Sequence, residues 1–127
     1  MSKKNVEEYI PKALEVLLTH YPKKVIPSAY NGYISSFGAS IMQSGLLPTL
    51  ALFENENNQD KTKEDKSVLT KNILKVLDSD YPDNSLLRYV IHYNGNRELL
   101  KQNIIDISIA LKLTIRTFKL EKGEKNE

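Results

Sequence analysis

Apolar residues recur at helical spacing along most of the chain. Val6, Tyr9, Ile10, Ala13, Leu14 and Leu17 share one face at a period near 3.6 and predict a first helix ending near His20. Pro11 lies early enough in this stretch either to be tolerated or to mark the true start. Tyr21-Pro22 ends the pattern, because the residue before a proline is pushed out of helical backbone. Lys23 to Pro27 then reads as a connection, with Ser28 as the N-cap of the next helix.

Tyr30, Tyr33, Ile34, Phe37 and Ile41 form the next stripe, while Gly32, Ser35, Ser36, Gly38 and Ser40 fill the positions between. Each internal glycine costs about 1 kcal/mol of helix propensity against alanine, so packing must supply the difference. Close approach of a neighbouring helix is the simplest reason for them. Gly45 is placed to cap this helix at its C-terminus. Leu46, Leu47, Leu50, Ala51 and Phe53, with Pro48 in the first turn, predict a third helix that is strongly apolar and largely buried.

From Asn55 to Lys66 there is no apolar residue. Such a stretch cannot offset its ordering entropy by burial, which predicts a mobile, solvated loop. Val68, Leu69, Ile73, Val76 and Leu77 predict a fourth helix that stops at Ser79-Asp80-Tyr81-Pro82, and Leu86, Leu87, Val90 and Ile91 a shorter fifth. Beyond the turn signal Asn94-Gly95-Asn96, the residues Leu100, Ile104, Ile107, Leu111, Ile115 and Phe118 fit a long sixth helix. A strand competes for the same stretch, since Ile105, Ile107, Ile109, Leu111, Leu113 and Ile115 alternate strictly. That alternation, followed to Leu120, far exceeds an ordinary strand of about five or six residues, and it lacks an obvious partner. The polar tail from Glu121 to Glu127 is predicted to fray.

Composition narrows the chemistry. With 127 residues, 40% of them hydrophobic, the chain has material for one modest core and so for one domain. The absence of cysteine excludes disulfides, thiolate metal sites and Cys-His catalysis, and fits a reducing compartment. The first residues lack an apolar signal core, and no apolar run is long enough to cross a bilayer, so a cytoplasmic protein with no membrane partner is expected. His20 and His92 stand in opposite halves of the chain with no Asp, Glu or His at ligand spacing. No phosphate-cradling loop is present either, because the glycines from Gly32 to Gly45 fall inside a helix. Carboxylate pairs such as Glu7 with Glu8 sit in solvated runs where burial cannot tune them. No catalytic residue, metal ligand or cofactor is expected, and the chain reads as a non-enzyme.

The net charge is only +2, but it is unevenly spread. Arg88, Arg97, Lys101, Lys112, Arg116 and Lys119 face only Glu98 and Asp106 between residues 88 and 119, whereas residues 54 to 83 are acidic on balance. Lys112, Arg116 and Lys119 stand at i, i+4 and i+7 of the sixth helix, a row that can track phosphates. Lys23 and Lys24 at the first interhelical turn extend it, and Arg88 is a further candidate contact. Tyr30, Tyr33 and Tyr93 offer surfaces on which bases stack, although tyrosines at helical spacing are more often core. The plain alternative for the row is an ordinary solvated helix face.

The stretch from Tyr33 to Phe53 resembles the signature of the Cmr small-subunit family of CRISPR systems. In that family a helix with an aromatic residue and small residues runs into Ile-x-x-x-Gly-Leu and then into a buried Leu-Ala helix. Tyr33, Ile41, Gly45, Leu46, Leu50 and Ala51 supply these features here. The sequence departs from the pattern at Phe37-Gly38, where a proline is common, and at Ser36, where the family often has a basic residue; one RNA contact is thereby in doubt. The resemblance implies that the C-terminal stretch is helical. The expected fold is then all-α: a single-domain bundle of about six helices over residues 1–120, with a polar loop at 55–66 and a disordered tail at 121–127.

The resemblance also implies a role. It is that of the non-catalytic small subunit of a type III-B CRISPR ribonucleoprotein in antiviral defence, packed beside the backbone subunits and helping to hold guide RNA and target RNA. Its partners would be the other Cmr subunits and both RNAs, with weak self-association. Ile109 and Leu113, on the surplus face of the sixth helix, are candidate contacts to neighbouring subunits. The competing reading is a small helical protein-interaction module without nucleic-acid binding, which the near-neutral charge favours.

Overall fold

The computed structural model describes residues 3–55 and 66–121. Among these residues the chain forms α1 (Lys3–His20), β1 (Val25–Pro27), α2 (Ser28–Ser44), α3 (Leu46–Phe53), α4 (Ser67–Leu77), α5 (Leu86–Ile91), α6 (Arg97–Thr114), a 3-10 turn (Ile115–Thr117) and β2 (Lys119–Glu121). The all-α, single-domain expectation holds, with a two-stranded sheet added. Residues 56–65 of the expected loop and 122–127 of the expected tail lie outside the described residues.

α1 starts before Pro11 and runs through it. The ring removes one backbone donor and leaves the Glu7 carbonyl without its intrahelical partner. Both Glu7 and Pro11 are exposed, so water can serve that carbonyl. The opposite face buries Val6, Ala13 and Leu17. It packs chiefly on α6, the most extensive contact between elements, and on α4.

On α6 the helical period wins over the alternating one. Leu100, Ile104, Ile107, Leu111, Ile115 and Phe118 are all buried, whereas Leu113 is 39% exposed and Ile105 and Ile109 are half-buried. Of the two proposed partner contacts on the surplus face, only Leu113 stands out. Asn96 starts α6 by accepting a bond from the Leu99 N–H at 3.0 Å.

The helix ends sooner than the periodicity suggests. The Thr114 hydroxyl bonds back to the Ala110 carbonyl at 2.7 Å and the Thr117 hydroxyl to the Thr114 carbonyl at 2.8 Å, and a 3-10 turn takes over at Ile115. Phe118 is extended and buried, and it feeds a strand instead of a further helical turn.

That strand, β2, pairs in parallel with β1, aligning Val25 with Lys119, Ile26 with Leu120 and Pro27 with Glu121. The expected plain connection after α1 is therefore a strand, and Glu121 belongs to the sheet and not to a fraying tail. Ile26 is completely buried and anchors the pair. Its neighbour Pro27 occupies the N-cap position of α2 without a side-chain bond, so Ser28 is the first helical residue and not the cap.

Candidate nucleic-acid interface

The residues that carry the family resemblance build a corner between α2 and α3. Gly45 turns it with φ 97 and ψ 168, a backbone that only glycine adopts without strain. This is the cap expected from the sequence, though its ψ is extended and not left-handed helical. The Gly45 N–H donates to the Ile41 carbonyl at 2.9 Å, and the Gly45 carbonyl accepts from the Thr49 N–H at 3.3 Å. The hydroxyls of Ser40 and Thr49 lie 2.7 Å apart across the corner, and Phe37 meets Phe53 edge to face at 5.3 Å.

Ile41, Leu46 and Leu50 are buried behind this corner and Tyr33 is half-buried. Ala51 is exposed, as are Pro48 and Leu52, so α3 buries one face only and the expectation of a largely buried helix is corrected. Gly32 and Gly38 are not sites of close helix approach either, since a Cβ at either would meet nothing within 4 Å. Ser36, where the family often has a cation, is exposed and its hydroxyl bonds to the Tyr33 carbonyl at 3.2 Å. The signature is thus an architectural joint.

The basic residues gather elsewhere. Tyr21 to Lys24 closes a turn, with the Lys24 N–H donating to the Tyr21 carbonyl at 2.9 Å and Pro22 at its second position, where a φ near −65° is wanted. Lys24 itself sits at φ 63, a left-handed conformation uncommon for a side-chain-bearing residue. In that pose its carbonyl accepts the Lys119 N–H at 2.9 Å.

Lys23, Lys24 and Lys119 are thereby brought together beside the C-terminal ends of α1 and α6. Arg116 follows on the 3-10 turn and Lys112 lies on the last turn of α6. Lys23, Lys24, Arg116 and Lys119 are exposed and Lys112 is half-buried. Among the described residues none of these pairs with a carboxylate.

Lys112, Arg116 and Lys119 are not a single helical row, because α6 stops at Thr114. They belong to a helix end, a 3-10 turn and a strand. Cations at this place also complement the partial negative charge of helix C-termini, each by about 0.3–1 kcal/mol when exposed. That gives them a structural reason beside any ligand.

Arg88 stands apart from the cluster. It lies on α5, which packs on α3 and α4, and its guanidinium grips Asp83 bidentately, through Nη2 at 2.9 Å and through Nε. The Arg88 hydrogen bond, with the Asn84 N–H adding to it, holds the Asp83 carboxyl down at about 2. Tyr30, read as a stacking candidate, is a core residue with no exposure, and its hydroxyl accepts from Asn72 Nδ2 at 2.7 Å. Tyr93 is half-buried in a series with Tyr89 and Tyr81, at centroid spacings of 6.0 and 4.9 Å. His20 closes α1 edge-on to Tyr21, and His92 caps α5 with Nδ1 beside the Arg88 carbonyl.

Several features gave no signal in the sequence. Glu54 reaches across to the start of α5, accepting from the Ser85 hydroxyl at 2.7 Å and the Leu87 N–H at 3.1 Å. Asp106 is fully buried on α6: one oxygen accepts from Gln102 at 3.1 Å and the other has no partner among the described residues. Burial first, and the Asp106 charge second, push the Tyr9 hydroxyl above its usual value. The strand pair itself is three residues on each side, too short to show a period.

Among the described residues no group of His, Asp and Glu could hold a metal ion, and no helix is long and apolar enough to cross a membrane. The arrangement offers a cationic end built from backbone-tethered side chains, suited to contact phosphate without reading bases. A family model described as CRISPR-associated protein (Cas_Cmr5) matches residues 5–117, which takes in the corner, all of α6 and Lys23, Lys24, Lys112 and Arg116. No curated protein and no solved structure matches the chain.

Proposed function

The chain belongs to the Cas_Cmr5 family, the small subunit of the type III-B Cmr complex, and from that premise we propose that it serves there as a non-catalytic RNA-holding subunit. The observation that carries this reading is the β1–β2 pairing, which gathers Lys23, Lys24 and Lys119 at one end with Arg116 and Lys112 behind them. Exposed cations of this kind bind the backbone of either a guide or a target strand regardless of sequence, while base pairing between the strands supplies specificity. The other Cmr subunits carry the cleavage, and the work is done in the cytoplasm as part of antiviral defence.

Charge reversal of Lys112, Arg116 and Lys119 to Glu tests this. Binding of the purified chain to single-stranded and duplex RNA should weaken uniformly across sequences, with the chain still cooperatively folded. The slope of log affinity against log salt should flatten by about 0.7–0.9 for each phosphate that the variant no longer neutralises. Unchanged affinity and slope would remove these residues from the interface. Exposed Met42, Leu52, Ile91 and Leu99 support a second reading, a protein-interaction module. Recovery of the native complex with subunits but no RNA bound through this chain would favour it.

A further inference from the structure

A groove of about 280 Å³ lies between α1 and α4. That volume is at the small end of ligand sites, where a nucleoside-sized molecule fits and a large cofactor does not. Val16 gives it an apolar wall, and Asn72 lines it while being only 4% exposed. The Asn72 Nδ2 donates to the Tyr30 hydroxyl at 2.7 Å, which fixes the amide from inside the core. With Nδ2 held there, Oδ1 is the acceptor that the amide has left for a ligand. A buried, oriented acceptor selects a ligand that carries a donor, because a ligand without one leaves it unpaired.

The rim supplies the complementary chemistry. Lys75 is exposed at the edge and makes no ion pair among the described residues, and His20 stands at the α1 end of the groove. Thr19 adds a hydroxyl, whose own bond runs to the Glu15 carbonyl. The one carboxylate on the rim, Glu15, lies 3.6 Å from the Lys12 ammonium, which offsets its charge. An amine donor for Asn72, a flat apolar body for Val16 and an anion for Lys75 describe a nucleotide with an exocyclic amine, since asparagine pairs with the amine edge of adenine. We propose that the α1–α4 groove is a mononucleotide site that takes an amine-bearing base on Asn72 and its phosphate on Lys75. The inference goes beyond the backbone-contact reading and does not require it, since it rests on other residues.

The test is titration of the full chain with 5′-AMP, purine riboside 5′-monophosphate and inorganic phosphate, followed by backbone amide shifts. AMP should saturate with shifts confined to α1 and α4, and the purine analogue, whose base lacks the amine and any other N–H donor, and phosphate should each bind at least tenfold more weakly. Lys75→Glu should weaken AMP at least tenfold. Thr19→Trp, which fills the groove from an exposed position, should abolish binding with an unchanged melting temperature. AMP and its amine-free purine analogue titrating alike, phosphate alone reproducing the shifts, or intact AMP binding in Thr19→Trp would overturn the proposal. A short oligoadenylate separates the two sources of such a group: displacement of AMP supports the site as one for a nucleotide of an RNA strand, and failure to displace supports free nucleotide. Reversal of Lys112, Arg116 and Lys119 leaves AMP binding unchanged, so failure of either idea is seen separately.

Discussion

The Gly45 corner and the basic end are both built around one residue at positive φ, yet they are assembled in different ways. At the corner, Phe37, Ser40, Ile41, Thr49 and Phe53 meet residues close to them in the chain, around a glycine that adopts its backbone freely. At the basic end, Lys24 holds a comparable pose at a cost, and its partner Lys119 arrives from almost the other end of the chain. The corner buries Ile41, Leu46 and Leu50 of its signature. The basic end exposes its cations and owes its shape to three residues of parallel strand. A recognisable motif and a charged surface need not coincide, and here one holds the scaffold while the other presents cations.

The largest expected effect comes from cutting the basic end away. Ile26→Ala empties a fully buried position at the centre of the strand pair and should cost about 2–5 kcal/mol in denaturant unfolding. RNA affinity of the remaining folded chain should fall with it, because Lys24 and Lys119 lose their common frame; full retention would separate the strands from the interface. At the corner, Gly45→Val forces a β-branched side chain to φ 97 and should cost about 1–3 kcal/mol. RNA affinity per folded molecule should stay at its original value, and a fall would show that the corner does more than support.

Smaller effects sharpen the contrast. Lys24→Gly relaxes the left-handed pose while removing a charge, so stability should stay level or rise by up to about 1 kcal/mol as RNA affinity drops. A decrease in stability would mean that the Lys24 side chain, and not its backbone, holds the turn. The smallest effect concerns Arg88, which the Asp83 pair keeps from the interface: Arg88→Gln should leave RNA affinity alone. Asp83 has its folded value lowered from 3.8 to about 2, so the pair adds stability above pH 3.8 that is lost as pH falls through that window. Melting curves across the window should show this acid sensitivity in the parent chain and not in the variant.

Much of the helical frame was legible because its signals are periodic. Leu100, Ile104, Ile107 and Leu111 repeat over several turns, and Asn94-Gly95-Asn96 marks a start with ordinary turn chemistry. The corner was legible because glycine followed by an apolar helix is a local pattern. Val25-Ile26-Pro27 and Lys119-Leu120-Glu121 carry no period of their own, and only the finished packing of α1 on α6 brings them side by side. Arg116 and Lys119 were therefore found by count but placed on the wrong element, and Arg88 was grouped with them because its partner Asp83 belongs to the acidic half of the charge map. The groove on α1 and α4 gave no hint either, since Asn72 reads as one of several polar residues in an amphipathic helix.

The parallel pairing of residues 25–27 with 119–121 closes nearly the whole chain into a ring. Pairings of such separation carry the largest loop-closure entropy and tend to form late. During synthesis the N-terminal helices and the Gly45 corner emerge first and can pack locally, while the ring has no second half until Glu121 has left the ribosome. The cationic end is therefore assembled only by a completed fold, so whatever it contacts meets a scaffold already able to orient it.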